Sequence, residues 1–387
     1  MTEQFFTPCP RGLEQVLADE LAALGIKDAA ITPGGVAFSG SFETIYIVNL
    51  HSRIASRVLW RVAQAPYKVE KDLYTLAHAT AWEKYFPPTH TLRVDVVATR
   101  SPLKSLKFAT LTIKDGVCDR FRERDGIRPS IAKLGADARV FAYLDATQAT
   151  LYLDTSGEAL FKRGYRVAEV EAPIRENLAA GILRLIGWTP EIPLYDPMCG
   201  SGTFLIEAAQ IALGIPAGSN RRFGFYKFKQ FDAPAWQRLR DIARQTAPQS
   251  LQVHGSDISQ DALRAALANF TAGGVDEVIR IRSGDLLNMP APTTARAPSP
   301  GIPSGIMVCN PPYGERLSDQ ETMAAFYPRL GDTLKKYYAG WNCHFISADR
   351  GMEKGLRLKS TRKIPLMNGD LDCRLYEFKV IAGSNRD

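Results

Sequence analysis

Asn310-Pro311-Pro312-Tyr313 follows a short apolar run, Ile306 to Cys309, with the composition of a buried strand. The exocyclic amino group of adenine or guanine is a poor nucleophile, because its lone pair is delocalised into the ring. A catalyst must hold both amino hydrogens and aim the lone pair at the group to be accepted. The side-chain carbonyl of Asn310 can accept one hydrogen and the backbone carbonyl of Pro311 the other. Prolines at 311 and 312 stiffen the turn that fixes these acceptors, and Tyr313 offers a face on which an extruded base can stack. These residue types in this order suit transfer of a methyl group to an amine. In isolation the tetrapeptide would read as a proline-rich loop, so what precedes it decides its meaning.

Upstream, Asp196-Pro197-Met198-Cys199-Gly200-Ser201-Gly202-Thr203-Phe204 stands before an apolar helical stretch. Glycines at 200 and 202 permit a tight turn and close backbone approach to a ligand, and the helix that follows presents its N-terminus. A nucleotide-like cofactor suits such a turn, although a plain tight connection has the same look. Asp257, in His254-Gly255-Ser256-Asp257-Ile258, ends the next strand candidate and can accept hydrogen bonds from two ribose hydroxyls. Asp285, in Ser283-Gly284-Asp285-Leu286, ends a third, where it can accept from an adenine amino group. Either aspartate can instead cap a helix. Their recurrence after consecutive strands favours one shared ligand. The candidate cofactor contacts are Asp196, Met198, Cys199, Gly200, Gly202, Thr203, Asp257, Ile258, Asp285, Leu286 and Asn310.

The elements needed to position these groups are legible. After residue 170 the chain alternates strand, glycine turn and helix, with strand candidates at Leu194–Tyr195, Val253–Gly255, Ile279–Arg282, Ile306–Cys309 and His344–Ser347. That pattern predicts a doubly wound α/β domain, whose ligands bind at the carboxyl ends of its strands. The motifs fall at those ends. A stretch rich in Pro, Ala, Ser and Thr, Pro290 to Ser304, predicts an exposed loop. Before residue 160, strand candidates such as Leu92–Ala98 and Arg139–Leu144 interleave with helical stretches such as Gly12–Leu24 and Ser41–Arg53, an α+β pattern. Ser105–Arg124 has helical spacing and, with Lys104 directly before it, a concentration of cations, among them Lys107, Arg120, Arg122 and Arg124. Taken alone, that run reads as a solvated helix face. A second basic and aromatic cluster, Arg221 to Lys229, either lines a nucleic-acid path or packs an inserted loop.

A chain of 387 residues with 45% hydrophobic and 23% charged residues is long enough for two or three globular domains. The net charge of +7 favours an anionic partner. No early run reads as a cleavable leader and no apolar run reaches the ~18 residues of a membrane span, so a soluble, cytoplasmic protein without membrane association is expected. Six cysteines without a Cys-x-x-Cys pair indicate neither zinc nor disulfides, and no metal is expected. A nicotinamide enzyme would need a third glycine where Leu205 stands, and an acidic residue far closer than Asp257.

The ordered set Asp196 to Phe204, Asp257, Asp285 and Asn310 to Tyr313 resembles class I methyltransferases that modify exocyclic amines. Phe161-Lys162-Arg163-Gly164-Tyr165-Arg166 and Ala172-Pro173-Ile174-Arg175-Glu176-Asn177-Leu178-Ala179-Ala180 are similar to the linker and first helix of THUMP-bearing RNA methyltransferases. The extended stretches around Asp196 and Asn310 to Leu317 look most like the bacterial large-subunit rRNA guanine-N2 methyltransferases of the RlmL type. That resemblance implies a Rossmann-like methyltransferase domain at 181–387, behind an α+β ferredoxin-like segment at 1–65, a THUMP RNA-binding domain at 66–157, and a linker with the first helix at 158–180. It also implies S-adenosylmethionine as cofactor and structured RNA as partner, 23S rRNA or an assembling large subunit. Lys104, Lys107, Arg120, Arg122 and Arg124 then become candidate phosphate contacts. Some relatives bear a second methyltransferase module, and a chain ending at Asp387 is expected to lack that second activity. Adenine N6, in RNA or DNA, and a protein glutamine amide remain open as acceptors for the same tetrapeptide. A noncatalytic RNA-binding or assembly protein is the rival outside enzymes.

Overall fold

The computed structural model describes residues 2–170, 173–242, 251–292, 303–311 and 317–381. Pro312, Tyr313 and most of the 290–304 stretch therefore lie outside the described residues. The chain divides into two compact units. One comprises Met1–Cys9, Ala18–Leu160 and Asn220–Ile242, the other Pro10–Leu17, Phe161–Ser219 and Ala243–Asp387.

The first elements are β1 (Glu3–Pro8), α1 (Glu14–Ala23), β2 (Ala30–Thr32), β3 (Gly35–Gly40), α2 (Thr44–His51) and β4 (Leu59–Pro66). They are followed by α3 (Glu70–Ala79), β5 (Leu92–Ala98), α4 (Leu106–Asp125), β6 (Ala138–Leu144) and β7 (Gln148–Asp154). All seven strands join one sheet in the order β2-β3-β1-β4-β7-β6-β5. β4 pairs with both β1 and β7, so one sheet spans residues on both sides of 65. Strict alternation in β6, every second side chain buried, covers one face of this sheet. Helix α4 begins where Ser105 Oγ accepts a hydrogen bond from Phe108 N and ends at Gly126, whose φ of 71° suits a left-handed C-terminal residue. Gly116 on α4 lets that helix approach Ala77 and the Tyr74 carbonyl of α3 more closely than any side chain would allow.

The remaining elements are α5 (Glu176–Leu185), β8 (Leu194–Asp196), α6 (Thr203–Ala212), α7 (Ala233–Ile242), β9 (Val253–Asp257), α8 (Gln260–Gly273), β10 (Ile279–Ser283) and β11 (Gly305–Cys309). α9 (Leu317–Tyr337), β12 (Trp341–Ser347), α10 (Met352–Leu356), β13 (Arg362–Asn368) and β14 (Leu371–Lys379) are the last elements among the described residues. Seven strands form the second sheet in the order β10-β9-β8-β11-β12-β14-β13. The first five are parallel, and β14 runs antiparallel to both β12 and β13. β11 is buried along its whole length, as expected of a central parallel strand covered on both faces. Beside it, Tyr195, Met307, Leu330, Leu334, Tyr338 and Phe345 belong to one apolar core. The strand order reverses direction between β8 and β11, the place where ligands of open α/β sheets bind.

The 220–242 segment departs from the expected linear division. It follows α6 in sequence, yet it belongs to the first unit, where Phe225 and Trp236 pack on Tyr46 of α2 and Phe228 on Trp60 of β4. Phe223, Phe225 and Phe228 are buried. Arg221 donates to the backbone carbonyl of Ala159 at 2.7 Å and stacks on Phe223. Of the two readings of the Arg221 to Lys229 cluster, packing of an inserted loop is the one realised for its aromatic residues.

Candidate active site

Parallel pairing brings the motif-bearing strand ends into line. Asp196 at the end of β8 lies opposite Gly255 of β9, and Asp257 at the end of β9 lies opposite Ser283 of β10. Met307, two residues before the end of β11, lies opposite Tyr195 on the other side of β8. Asn310 and Pro311 follow β11 directly, so the glycine turn, both further aspartates and Asn310 share one edge of the sheet.

The turn after β8 is held by its surroundings. Gly200 and Gly202 have φ of 52° and 81°, the left-handed region that favours glycine. A Cβ at 202 would also collide with the ring of Phe270 on α8. Gly200 N donates to Asp257 Oδ2 at 2.9 Å, and Ser259 N donates to Asp257 Oδ1 at 2.9 Å. A carboxylate offers about four acceptor positions, so Asp257 retains two for a ligand. Asp285 accepts from Leu287 N and from Asn288 Nδ2, each at 3.0 Å, which makes it the cap of a short 3-10 turn. It too retains acceptor positions. Asp196 is 2% exposed, and burial together with nearby Asp257 holds its carboxyl well above the ordinary range. Burial, with Asp196 and Asp257 close by, likewise pushes the Cys309 thiol up, a sign of how closely the ends of β8, β9 and β11 converge.

The other expected contacts take different places. Met198 and Gly200 are half-buried, Cys199 and Thr203 are buried, and Ile258 is 70% exposed beside Asp257. An isoleucine standing in solvent next to a carboxylate at a strand end provides an apolar surface for a purine ring. Leu286, in contrast, is 3% exposed and packs in the core with Met307 and Leu330. Asn310 is half-buried and Pro311 buried. The remaining acceptor positions of Asp257 and the ledge at Ile258 fit a nucleoside with two vicinal hydroxyls.

Residues that sequence reasoning left without a role hold the turn. Arg166 donates to Glu176 Oε1 at 2.9 Å, Ser201 Oγ at 3.2 Å, Thr203 Oγ1 at 3.1 Å and the Ile174 carbonyl at 3.0 Å. Asn269 of α8 accepts from the amides of Val167 and Ala168 and donates to the carbonyls of Ala168 and Ser201. The signal for Arg166 was its place in the linker motif. Asn269 gave none, because a polar residue within an amphipathic helix reads as exposed.

On α4 the cations separate. Arg120 and Arg124 both face Glu83, at 2.7 and 3.5 Å, and Arg122 faces Asp119 at 3.1 Å. Lys104 and Lys107 are exposed at the N-terminal end of α4, beside the exposed ring of Phe108. Among the described residues no group of His, Cys, Asp and Glu is placed to hold a metal ion, and no helix is long and apolar enough to cross a membrane.

Residues 163–377 match the family model of the UPF0020 group, an RMKL-like methyltransferase domain. The chain belongs to the RMKL-like methyltransferase family. Residues 4–59 match the RlmL ferredoxin-like domain and residues 67–154 the THUMP domain. A ribosomal RNA large subunit methyltransferase K/L from Syntrophotalea carbinolica is 39% identical over 97% of this chain and 53% of its own length. The RMKL-like chain thus spans about half the length of the curated relatives it matches. Among solved structures, SMU.472 complexed with SAH is 30% identical, with a TM-score of 0.86 and 98% of each chain covered. A protein named as a predicted N6-adenine-specific DNA methylase from Listeria monocytogenes is 29% identical, with a TM-score of 0.85, over 98% of this chain and 97% of its own. The expected order of a ferredoxin-like and THUMP region before a Rossmann-like methyltransferase fold therefore holds.

Proposed function

We propose that this RMKL-like chain is an S-adenosylmethionine-dependent methyltransferase acting on an exocyclic base amine of structured RNA, with guanine N2 of large-subunit rRNA as its target. The observation that supports it most is the convergence of Asp196, Asp257, Asp285 and Asn310 at one edge of the parallel sheet, where its strand order reverses. The names of the K/L relatives and the THUMP match favour large-subunit rRNA.

In this reading Asp257 holds the ribose hydroxyls, Asp285 the adenine amino group and Ile258 the purine face, while Gly200 and Gly202 leave room for the cofactor beside the turn. When bound, S-adenosylmethionine supplies an already activated methyl group. Asn310 accepts one hydrogen of the target amine and the Pro311 carbonyl the other, which points the lone pair at the methyl. Tyr313 stacks on the extruded base. Transfer would be direct and in line, with no covalent enzyme intermediate. The new N–C bond would form as the sulfonium S–CH3 bond breaks to leave a thioether, and the methylated amine would release one of its hydrogens as a proton to solvent or a nearby group. Lys104, just before α4, and Lys107 on it are the phosphate contacts, since Arg120, Arg122 and Arg124 already face carboxylates. Adenine N6 stays as a second acceptor, favoured by the likeness to the Listeria protein.

Labelled S-adenosylmethionine with unmodified RNA, DNA or protein, followed by digestion of the product, tests this directly. N2-methylguanine in rRNA is expected, with kcat for Asn310→Ala lower by about 10²–10³ and SAH affinity little changed. N6-methyladenine would keep the mechanism and replace the target. Label confined to DNA or protein would sink the RNA reading, and no label despite RNA and SAH binding would favour the noncatalytic rival.

A further inference from the structure

A cavity of about 380 Å³ lies beside the segment leading into α5. Its volume falls within the range of ligand sites, ~300–1,000 Å³. Four cations line it, Lys162, Arg163, Arg166 and Arg175, against two carboxylates, Glu169 and Glu176. Arg163 faces Glu207 at 3.3 Å and Arg166 faces Glu176 at 2.9 Å. Arg175 differs from both. It is exposed, and its guanidinium carbon lies 5.1 Å from the centre of the Phe161 ring. Stacking of this kind holds the planar fork of N–H donors in place, so less freedom is lost when an anion engages it. Arg175 is also the residue at which α5 begins, and the positive end of that helix adds to the same field.

The cavity is tied to the cofactor turn through one side chain. Arg166, on the cavity wall, donates to Ser201 Oγ and Thr203 Oγ1. An anion seated against Arg175 therefore lies one residue layer from the glycine turn. An enzyme that extrudes a base must hold the sugar-phosphate chain beside the extruded nucleotide, and contacts to phosphate do so without reading sequence.

We infer that this cavity seats a phosphodiester of the RNA strand next to the target nucleotide, with Arg175 as its main contact. The inference rests on the RNA reading above. Binding of an unmodified large-subunit rRNA transcript is measured by filter retention across a range of KCl concentrations, and SAH binding by calorimetry. The proteins compared are wild type, Arg175→Ala and Arg175→Lys. For Arg175→Ala, RNA affinity falls about tenfold, and the slope of log affinity against log salt becomes shallower by about 0.7. Arg175→Lys regains the slope but not the full affinity, and SAH affinity is unchanged in both. Unaltered RNA affinity and slope in Arg175→Ala would overturn the inference. So would a loss confined to SAH affinity, which would assign the cavity to the carboxylate of the cofactor. If wild type neither binds nor labels any RNA, the RNA reading itself fails and takes this inference with it. Wild-type labelling with an unaffected Arg175→Ala removes the cavity role alone.

Discussion

Gly202 combines a backbone conformation that side chains rarely adopt with a wall, the Phe270 ring, where a Cβ would stand. The first feature follows from the turn, and the second from the packing of α8 against α6. Gly202→Ala should therefore cost about 2–4 kcal/mol, from left-handed strain and overpacking together. It should also weaken SAH binding, because the turn that presents Gly200 N to Asp257 must shift. Thermal unfolding and calorimetric titration check both effects. An unchanged SAH affinity would show that the turn tolerates displacement and would weaken its assignment as a cofactor cradle. At this scale the sequence was most informative about the candidate ligand contacts, since glycine, aspartate and asparagine at strand ends have few other uses in combination. It was silent about Asn269 and about the four hydrogen bonds of Arg166, because each joins groups distant in the chain.

Among the elements, β12 and β14 are joined by a side-chain contact as well as by their ladder. His344 on β12 lies 3.5 Å from Glu377 on β14, and Thr361 Oγ1 donates to Glu377 at 2.6 Å. The His344 imidazole is the largest cause that holds the Glu377 carboxyl down, at about 2 against an ordinary 4.5. The folded value lies below the unfolded one, so the unfolded chain takes up the proton first. The stabilisation is complete above pH 4.5 and is lost as the pH falls towards 2. Glu377→Gln should cost about 1–2 kcal/mol at neutral pH, with the difference from wild type vanishing near the acid limit. Urea unfolding at a series of pH values measures this, and a pH-independent difference would refute the role given to the charge. β13 and β14 were not among the expected strands, whereas the five parallel strands were legible from apolar runs. Their order was not, because a parallel run reads the same wherever it stands in the sheet.

For the whole molecule, the decisive departure from a linear reading is the 220–242 segment. Trp236 is 5% exposed and meets Tyr46, Phe223, Phe225 and Tyr226 at ring-centre distances of 5.2–6.0 Å. Trp236→Ala should destabilise the first unit by about 3–5 kcal/mol, read as earlier cleavage within residues 18–160 under limited proteolysis, while SAH affinity stays at the wild-type level. If SAH affinity fell in parallel and the first unit kept its resistance, the segment would have to serve the second unit instead. The aromatic and basic letters of Arg221 to Lys229 supported two readings equally, since the same rings that stack on bases also fill cores. Only the presence of Tyr46 and Trp60 around them decides which.

The sequence by itself determined the chemistry-bearing residues, their order along the chain, the α/β character after residue 170 and the α+β character before it, because these depend on local composition and spacing. Tertiary structure decided the rest. It merged seven strands of the N-terminal region into one sheet, assigned a late segment to the early unit, set Arg120, Arg122 and Arg124 against nearby carboxylates, and fastened the glycine turn through Arg166 and Asn269. Except for the Arg122–Asp119 pair within α4, these outcomes depend on contacts between separate elements, and burial of apolar and charged groups against distant partners has no local signature.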